Sequence, residues 1–413
     1  MTLAGTGFWA IMDQGLFAVS NFMLNVLLAR WLGPAEYGVF GLAFALFLLL
    51  ATAHTALATE PLLVFGSGRY RMRLATYVRT VMAGHWWLMR RAVVPFAGAG
   101  LLLWVVGEST LGKTLFTLAL VAPLILFQWL LRRACYIESR PGVAAFAGAQ
   151  YLVTIGVGVF ALRAAGWLSG STGLLLMGVA SMVSTAIILR YVRSLEDAHD
   201  ERENAARFER AIRHEHWRYG RWGIAAIALA WASTEVFYVL LSIIHGYGET
   251  GSLRAAMNVI APAQQVFLAL STVALPVFVS SAREGVLPRT VGLTTGLFVA
   301  AAVVFSATIY VFARPLVGFL YGDAYTDIVP LVRIIAAVPL ATAVARVASS
   351  VLHALEKPRD IYLGYLPGAV LALTVGIALT AYADTTGAAI GMVFATSGVA
   401  VMMGLQAVLR IRS

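Results

Sequence analysis

Runs of about twenty apolar residues recur from one end of this chain to the other, the length a helix needs to cross a bilayer core of roughly 30 Å. Twelve are present, near 8–30, 38–60, 87–107, 114–132, 143–163, 172–190, 222–245, 253–280, 290–313, 328–354, 361–383 and 387–409. Only 12% of the 413 residues are charged and 60% are hydrophobic, with a mean hydropathy of +0.82. A soluble domain carries roughly a quarter charged residues, so a water-soluble globule is excluded. The pattern predicts an all-α membrane protein of about twelve transmembrane helices.

Basic residues orient such a chain because Lys and Arg collect on the cytoplasmic side of short loops. With the N-terminus inside, one set of alternate loops receives Arg69, Arg71, Arg73, Arg79, Arg90, Arg91, Arg132, Arg133, Arg140, Arg283, Arg289, Lys357, Arg359, Arg410, Arg412 and the arginines between 190 and 221. The opposite loops hold only Arg30, Lys113, Arg163, Arg254 and Arg314, all near helix ends. Both termini are therefore expected in the cytoplasm. The first run lacks a basic leader and carries Asp13, Asn21 and Asn25, which does not fit a cleaved signal.

The chain also repeats itself. Residues 26–43, VLLARWLGPAEYGVFGLA, share a skeleton with residues 239–256, VLLSIIHGYGETGSLRAA, 213 positions on and without a gap. Val26, Leu27, Leu28, Gly33, Glu36, Gly38 and Ala43 fall on Val239, Leu240, Leu241, Gly246, Glu249, Gly251 and Ala256. The same corner thus joins runs one and two and runs seven and eight. A segment with charges of both signs at helical spacing, 193–221, lies halfway and reads as a solvated or interfacial cytoplasmic helix. The expected organisation is an N-terminal six-helix bundle (1–192), a charged cytoplasmic linker (193–221) and a C-terminal six-helix bundle (222–413), the bundles related by a pseudo-twofold axis along the membrane normal.

Ionisable groups at bilayer depth cost roughly 2.5–3.5 kcal/mol each and face a lumen or a partner. In run ten, Thr342, Arg346, Ser349 or Ser350, and His353 form one helical stripe. Run eight carries a second, with Arg254, Asn258, Gln265 and Thr272. A guanidinium stays charged, so Arg346 and Arg254 are read as lumen residues suited to an anion. Asn21, Asn25, Asn258 and Gln265 fit lumen lining and interhelical hydrogen bonding equally well. His353 extends the run-ten stripe, and it and His54 are also explained as side chains satisfied by neighbours. Asp13, Glu60 and Glu235 are candidates for coupling-ion carboxylates, or for partners of Arg254 or Arg346. Prolines at depth, among them Pro61 and Pro276 in the second helix of each half, mark bends.

The net charge of +10 comes from arginines scattered over loops that face anionic lipid, so nucleic acid is not an expected partner. The single cysteine, Cys135, excludes an intrachain disulfide and a multi-cysteine metal site. No phosphate-binding glycine loop, zinc-protease helix or serine-nucleophile elbow is present. Neither a catalytic residue nor a metal or other cofactor is expected.

Three stretches carry a resemblance: ARWLGPAEYGVFGLA (29–43), PLVGFLYGDAYTDIVPLVRII (315–335) and VLHALEKPRDIY (351–362). Together they resemble the polysaccharide and O-antigen flippases of the multidrug, oligosaccharidyl-lipid and polysaccharide exporter superfamily. The first is similar to that family's first-loop signature, the second to its outer loop between spans nine and ten, and the third to the cytoplasmic turn that follows. Leu355 and Glu356 stand where members often have Gly, His245, Tyr247 and Thr250 depart from the pattern in the second corner, and relatives often have fourteen helices. The resemblance implies a bacterial inner-membrane carrier that moves undecaprenyl-pyrophosphate-linked glycan to the outer leaflet through a cationic cavity between two six-helix lobes. Glycosyltransferases and a polysaccharide polymerase are the partners it implies. The alternative is a cation-coupled drug or metabolite antiporter of the same superfamily, whose lumen would be acidic. A polysaccharide polymerase or other membrane enzyme needs a long outer loop, which this chain lacks.

The charge parity yields a test of topology. Reporter fusions at residues 205 and 322 are expected to give cytoplasmic and periplasmic signals respectively; the same signal from both would break the twelve-span arrangement.

Overall fold

The computed structural model describes residues 3–138, 140–195 and 205–412, and among them it contains helices and no strand. Lipid offers a backbone no hydrogen bonds, so each crossing segment satisfies its own. In order the helices are α1 Leu3–Leu32, α2 Pro34–His54, α3 Glu60–Ser67, α4 Leu74–Val105, α5 Ser109–Ile137, α6 Pro141–Ala164, α7 Gly170–Val192, α8 Ala205–Thr234, α9 Val236–Ile244, α10 Tyr247–Arg283, α11 Leu287–Tyr321, α12 Val329–Ile335, α13 Val338–Ala354, α14 Pro358–Leu371 and α15 Ile377–Arg412.

The twelve apolar runs fall on these helices, with breaks inside several. Among the described residues nine helical stretches are long and apolar enough to cross a membrane, or ten when α8 and α9, bent by 47° at their junction, count as one span. Two of those stretches, Leu287–Ile335 and Arg359–Arg412, hold 49 and 54 residues, far beyond the twenty or so that one crossing uses. The second is divided at Ala383 and Asp384, whose backbone leaves the helical region, Asp384 with a φ of 48°. Run ten is carried by α12 and α13 together.

Proline acts unevenly. A π-helical turn, Thr55–Thr59, interrupts the helix between α2 and α3, and Pro61 follows it near the start of α3. Pro276 lies inside α10, which continues through it to Arg283. The second helix of each half therefore breaks in the first half only.

The chain forms two compact units, Met1–Leu24 with Leu46–Ile224, and Asn25–Ala45 with Ala225–Ser413. This division departs from boundaries at 192 and 222: the corner 25–45 packs with the second unit, and α8 up to Ile224 packs with the first. Of the expected linker, residues 196–204 lie outside the described residues. The core of the first unit gathers Leu62, Tyr77, Phe127, Leu131, Cys135 and Ile188 together with Phe208 and Ile212 of α8. The core of the second gathers Phe267, Phe278, Phe298, Val351 and Met403 from α10, α11, α13 and α15.

The charged N-terminal half of α8 is docked, not merely solvated. Phe208, Ile212, His216 and Gly220 recur every four residues and are buried. Glu215 accepts hydrogen bonds from Arg69 at 2.6 Å and Tyr70 at 2.9 Å. The His216 ring lies between the Leu57 carbonyl of the π-helical turn, at 3.0 Å, and the Tyr77 hydroxyl, at 2.8 Å. Burial pushes the His216 imidazole down to about 4, so at neutral pH it docks uncharged.

The repeated corner explains itself in the second unit. A Cβ on Gly38 would overlap the carbonyl oxygen of Tyr247, and a Cβ on Gly251 would overlap that of Pro34. Gly38 and Gly251 are repeat counterparts, as are Pro34 and Tyr247, so the first turns of α2 and α10 cross reciprocally about a local twofold. Gly33 and Gly246, counterparts again, hold φ of 78° and 95°, where a side chain is strained. His245, which departs from the family pattern, anchors the second corner with its ring nitrogens 2.8 Å from the Thr380 carbonyl and 2.8 Å from Asp384.

This crossing predicts that Gly38→Ala and Gly251→Ala each destabilise the protein by about 1–3 kcal/mol. Because either change separates the same two helices, the double variant is expected to lose less than the sum of the singles. Thermal unfolding of the purified variants measures both.

Candidate functional site

Charged side chains inside the spans mostly meet a partner. Asp13, fully buried on α1, is gripped by Arg132 of α5, whose Nε lies 3.2 Å from Oδ1 and whose Nη2 lies 2.8 Å from Oδ2. Tyr136 donates a third hydrogen bond to Oδ2 at 2.6 Å, and the guanidinium stacks 4.3 Å from the Phe17 ring centroid. The planar fork of arginine matches a carboxylate in this way. Arg132 was read from the sequence as a cytoplasmic residue at the end of run four. In the structure it is 7% exposed and is the partner of Asp13, in place of Arg254 or Arg346.

In the second unit Arg254 of α10 lies 3.7 Å from Glu235, at the α8–α9 break, which makes them the pair offered as one alternative by the sequence. Arg254 is also stacked between the rings of Phe44, at 4.6 Å, and Tyr238, at 5.3 Å. Asn258 donates to the Tyr37 hydroxyl at 2.7 Å, and that hydroxyl donates to Asn25 at 3.2 Å. Asn25 and Asn258 thus tie the two repeat corners together. Asn21 donates to the Phe17 carbonyl one turn back, at 3.0 Å. Glu60, the first residue of α3, is exposed.

Arg346 is arranged differently. It lines a cavity of about 230 Å³ inside the second unit, formed by the α8–α9 break and by α10, α13, α14 and α15. Thr342, Arg346 and Ser349 project into it as the helical stripe predicts, joined by Ser233, Thr234, Glu235, Gln264, Tyr365 and Thr396. Arg346 has no ion-pair partner among the described residues.

Two members of the expected stripes fall elsewhere. His353 is exposed and does not line the cavity, because the stripe's last turn passes beyond the cavity's end. Gln265 is exposed, and its neighbour Gln264 takes the cavity position. The cavity face of α10 carries Met257 and, two turns on, Gln264, whereas Asn258 bonds Tyr37 on the adjacent face, so counting from Asn258 leads to the wrong glutamine. Ser350 turns from the cavity and donates to the Ser271 carbonyl at 3.4 Å, leaving Ser349 as the lining residue. Tyr365 and Thr396 had no signal in the sequence, since a lone hydroxyl in an apolar run is common.

The cavity therefore offers one guanidinium, one carboxylate, an amide and several hydroxyls. Among the described residues no group of three or more His, Cys, Asp or Glu could hold a metal ion. The chemistry present is recognition: a fixed positive charge and hydrogen-bond donors in a space sized for a phosphate group or two, not for an oligosaccharide.

A family model described as "Polysaccharide biosynthesis protein" matches residues 27–330. No curated protein matches the sequence. Among solved structures, the chain is similar to an inward-facing multidrug resistance MATE family transporter of the MOP superfamily, at 13% identity and a TM-score of 0.79 over 98% of each chain. It is similar to a eukaryotic MATE transporter at 15% identity and a TM-score of 0.72, covering 98% of this chain and 94% of that one. A MATE structure in a bent conformation aligns at 16% identity and a TM-score of 0.66, over 97% and 93%. The fold is thus the multi-pass helical fold of those transporters.

The Asp13 site yields a stability prediction. Asp13→Asn and Arg132→Gln each leave a buried charge unpaired and are expected to cost about 3–5 kcal/mol. Asp13→Asn combined with Arg132→Gln removes both charges and should recover much of that loss, as read by unfolding temperature and membrane abundance.

Proposed function

We propose that this chain, which belongs to the polysaccharide biosynthesis protein family, is a flippase: a transporter that moves lipid-linked oligosaccharide across the bacterial inner membrane by alternating access, for surface or exopolysaccharide synthesis. The substrate in this reading is glycan on undecaprenyl pyrophosphate, supplied by glycosyltransferases on the cytoplasmic side and consumed by a polymerase on the other. Both termini lie in the cytoplasm, and no catalytic step or cofactor is invoked.

The observation that carries the reading is Arg346, a guanidinium lining an internal cavity with no acidic partner among the described residues. Such a charge is expensive at depth unless water or an anion solvates it, and a solvated guanidinium lining a cavity is a ready anion site. The cavity volume of about 230 Å³ suits a diphosphate. In this reading the glycan and lipid tail lie outside the cavity.

The cation-antiporter alternative needs a carboxylate free to exchange cations. Asp13 is held by Arg132, and a cationic substrate beside Glu235 would meet Arg254 3.7 Å from the carboxylate and Arg346 on the same cavity lining. Those pairs favour the anionic substrate.

The test is polysaccharide export in a deletion strain complemented by Arg346 variants, with membrane abundance measured in parallel. Arg346→Ala is expected to lower export at least tenfold at normal abundance, about the 1.4 kcal/mol or more of one lost charge-assisted contact. Arg346→Lys keeps the charge without the planar fork and should retain partial export. Normal export by Arg346→Ala would remove the residue from the substrate site.

A further inference from the structure

The cavity holds one charge of each sign. Glu235 and Arg346 both line it, and Glu235 Oε2 is buried with no hydrogen-bond donor among the described residues. Groups that carry or can acquire charge face Glu235 from several sides. Arg254 of α10 lies 3.7 Å away, with Tyr37 of α2 beside it, and Tyr238 follows on α9. Arg346 of α13 and Tyr365 of α14 share the cavity, to which α15 adds Met392, Thr396 and Val399, none of which titrates. Glu235 is thus the acidic group of the cavity, with Arg254 beside it and Arg346 elsewhere on the same lining.

An anion entering this space competes with the Glu235 carboxylate for the same positive field. A cavity of about 230 Å³ is about 8 Å across if spherical. At an effective dielectric near 20, like charges that far apart repel enough to change affinity on the order of tenfold or more. A proton on Glu235 removes that repulsion and leaves both arginines charged. Linkage is reciprocal, so an anion that binds better to the protonated cavity must raise the cavity's affinity for the proton by the same factor.

We propose that proton binding at Glu235 and binding of a lipid diphosphate beside Arg346 are positively linked, so that the carrier takes up its anionic headgroup together with a proton. The inference rests on the transport reading given above and concerns the same cavity. In the binding step the diphosphate displaces water from Arg346, and a solvent proton converts the Glu235 carboxylate to the acid. No covalent bond of the substrate changes. This sense of coupling is opposite to that of an antiporter, in which proton and substrate exclude one another.

The experiment uses the full chain in lipid nanodiscs, titrated calorimetrically with a short-chain prenyl diphosphate N-acetylglucosamine. That probe is a diphosphate diester whose charge is constant between pH 6 and pH 8.5, so any pH dependence belongs to the protein. Wild-type affinity is expected to rise roughly fivefold or more as the pH falls across that range, with net proton uptake revealed by buffers of different ionisation enthalpy. Glu235→Gln should bind with the wild-type low-pH affinity at every pH and take up no proton. Glu235→Asp keeps a titrating carboxyl and should keep the slope, so the proposal stays testable even if the glutamine variant does not fold. A pH-independent wild type, or a Glu235→Gln protein that retains the slope, would overturn the linkage while the substrate reading stands. No binding of the probe by wild type at any pH would overturn the substrate reading and the linkage with it.

Discussion

A charge held at bilayer depth must be answered by another charge or by polar surroundings, and this constraint sorts the acids buried in the spans. Asp13 is answered by Arg132 and Glu235 by Arg254, while at the helix ends outside the spans Asp360 meets Arg410, whose Nε lies 2.6 Å from the carboxylate. The Asp13–Arg132 pair joins α1 to α5, helices distant in sequence, so there the expense of burying charge also fixes which helices meet. A pair of this kind is weak evidence for net stability, since apolar residues of the same volume would often serve as well. What the pairs supply is specificity of assembly, because a mispaired bundle would strand charges in lipid. Arg346 is the exception, and the exception is where the cavity lies.

The same constraint decided how much could be read in advance. Hydropathy marks helices because lipid tolerates little else, so the twelve apolar runs and the all-helical class were legible. The stripe Thr342, Arg346 and Ser349 was legible for the same reason: a polar face at helical spacing cannot look at lipid. The partner of Asp13 was not legible, because Arg132 closes an apolar run and looks like the first residue of a loop. Its burial follows from α5 continuing to Ile137 and from the approach of α1, which no pattern within either helix records. Gln265 shares a helix face with Asn258, but the cavity face of α10 is the neighbouring one of Met257 and Gln264, and nothing in the pattern tells the two faces apart. The unit boundary was missed for a different reason: contiguity in sequence says nothing of where residues 25–45 pack once the corner turns.

The repeat shows how an internal duplication becomes a contact. Two copies of one corner would normally be compared by superposition, yet here the copies touch. Gly38 meets Tyr247, and Gly251 meets Pro34, so each glycine serves the backbone of the other copy. Tyr37 and Asn25 staple the first corner through side chains, and Thr250, the counterpart of Tyr37, lies 3.5 Å from the carbonyl of Tyr238, the counterpart of Asn25. The chemistry differs while the positions agree. The two corners thus differ at the staples and agree at the glycines, where only the absence of a side chain permits the crossing.

The crossing and the cavity are connected through α10. Its N-terminal turns carry Gly251 and Arg254, the following turns carry Asn258 and Gln264, and these four residues reach in succession the first corner, Glu235, Tyr37 and the cavity. A single helix thereby links the position of the repeat crossing to the charge state of the site. Glu235 sits where α8 gives way to α9, at a 47° bend, so its carboxylate is carried by a break in one helix and opposed by an arginine on the helix that forms the corner. Neutralising Glu235 would loosen the attraction between that break and α10 while making the cavity more receptive to an anion. An acid placed at a helix break therefore joins the charge of the cavity to the geometry of the bundle that holds it, which a carboxylate in the middle of a straight helix would not do.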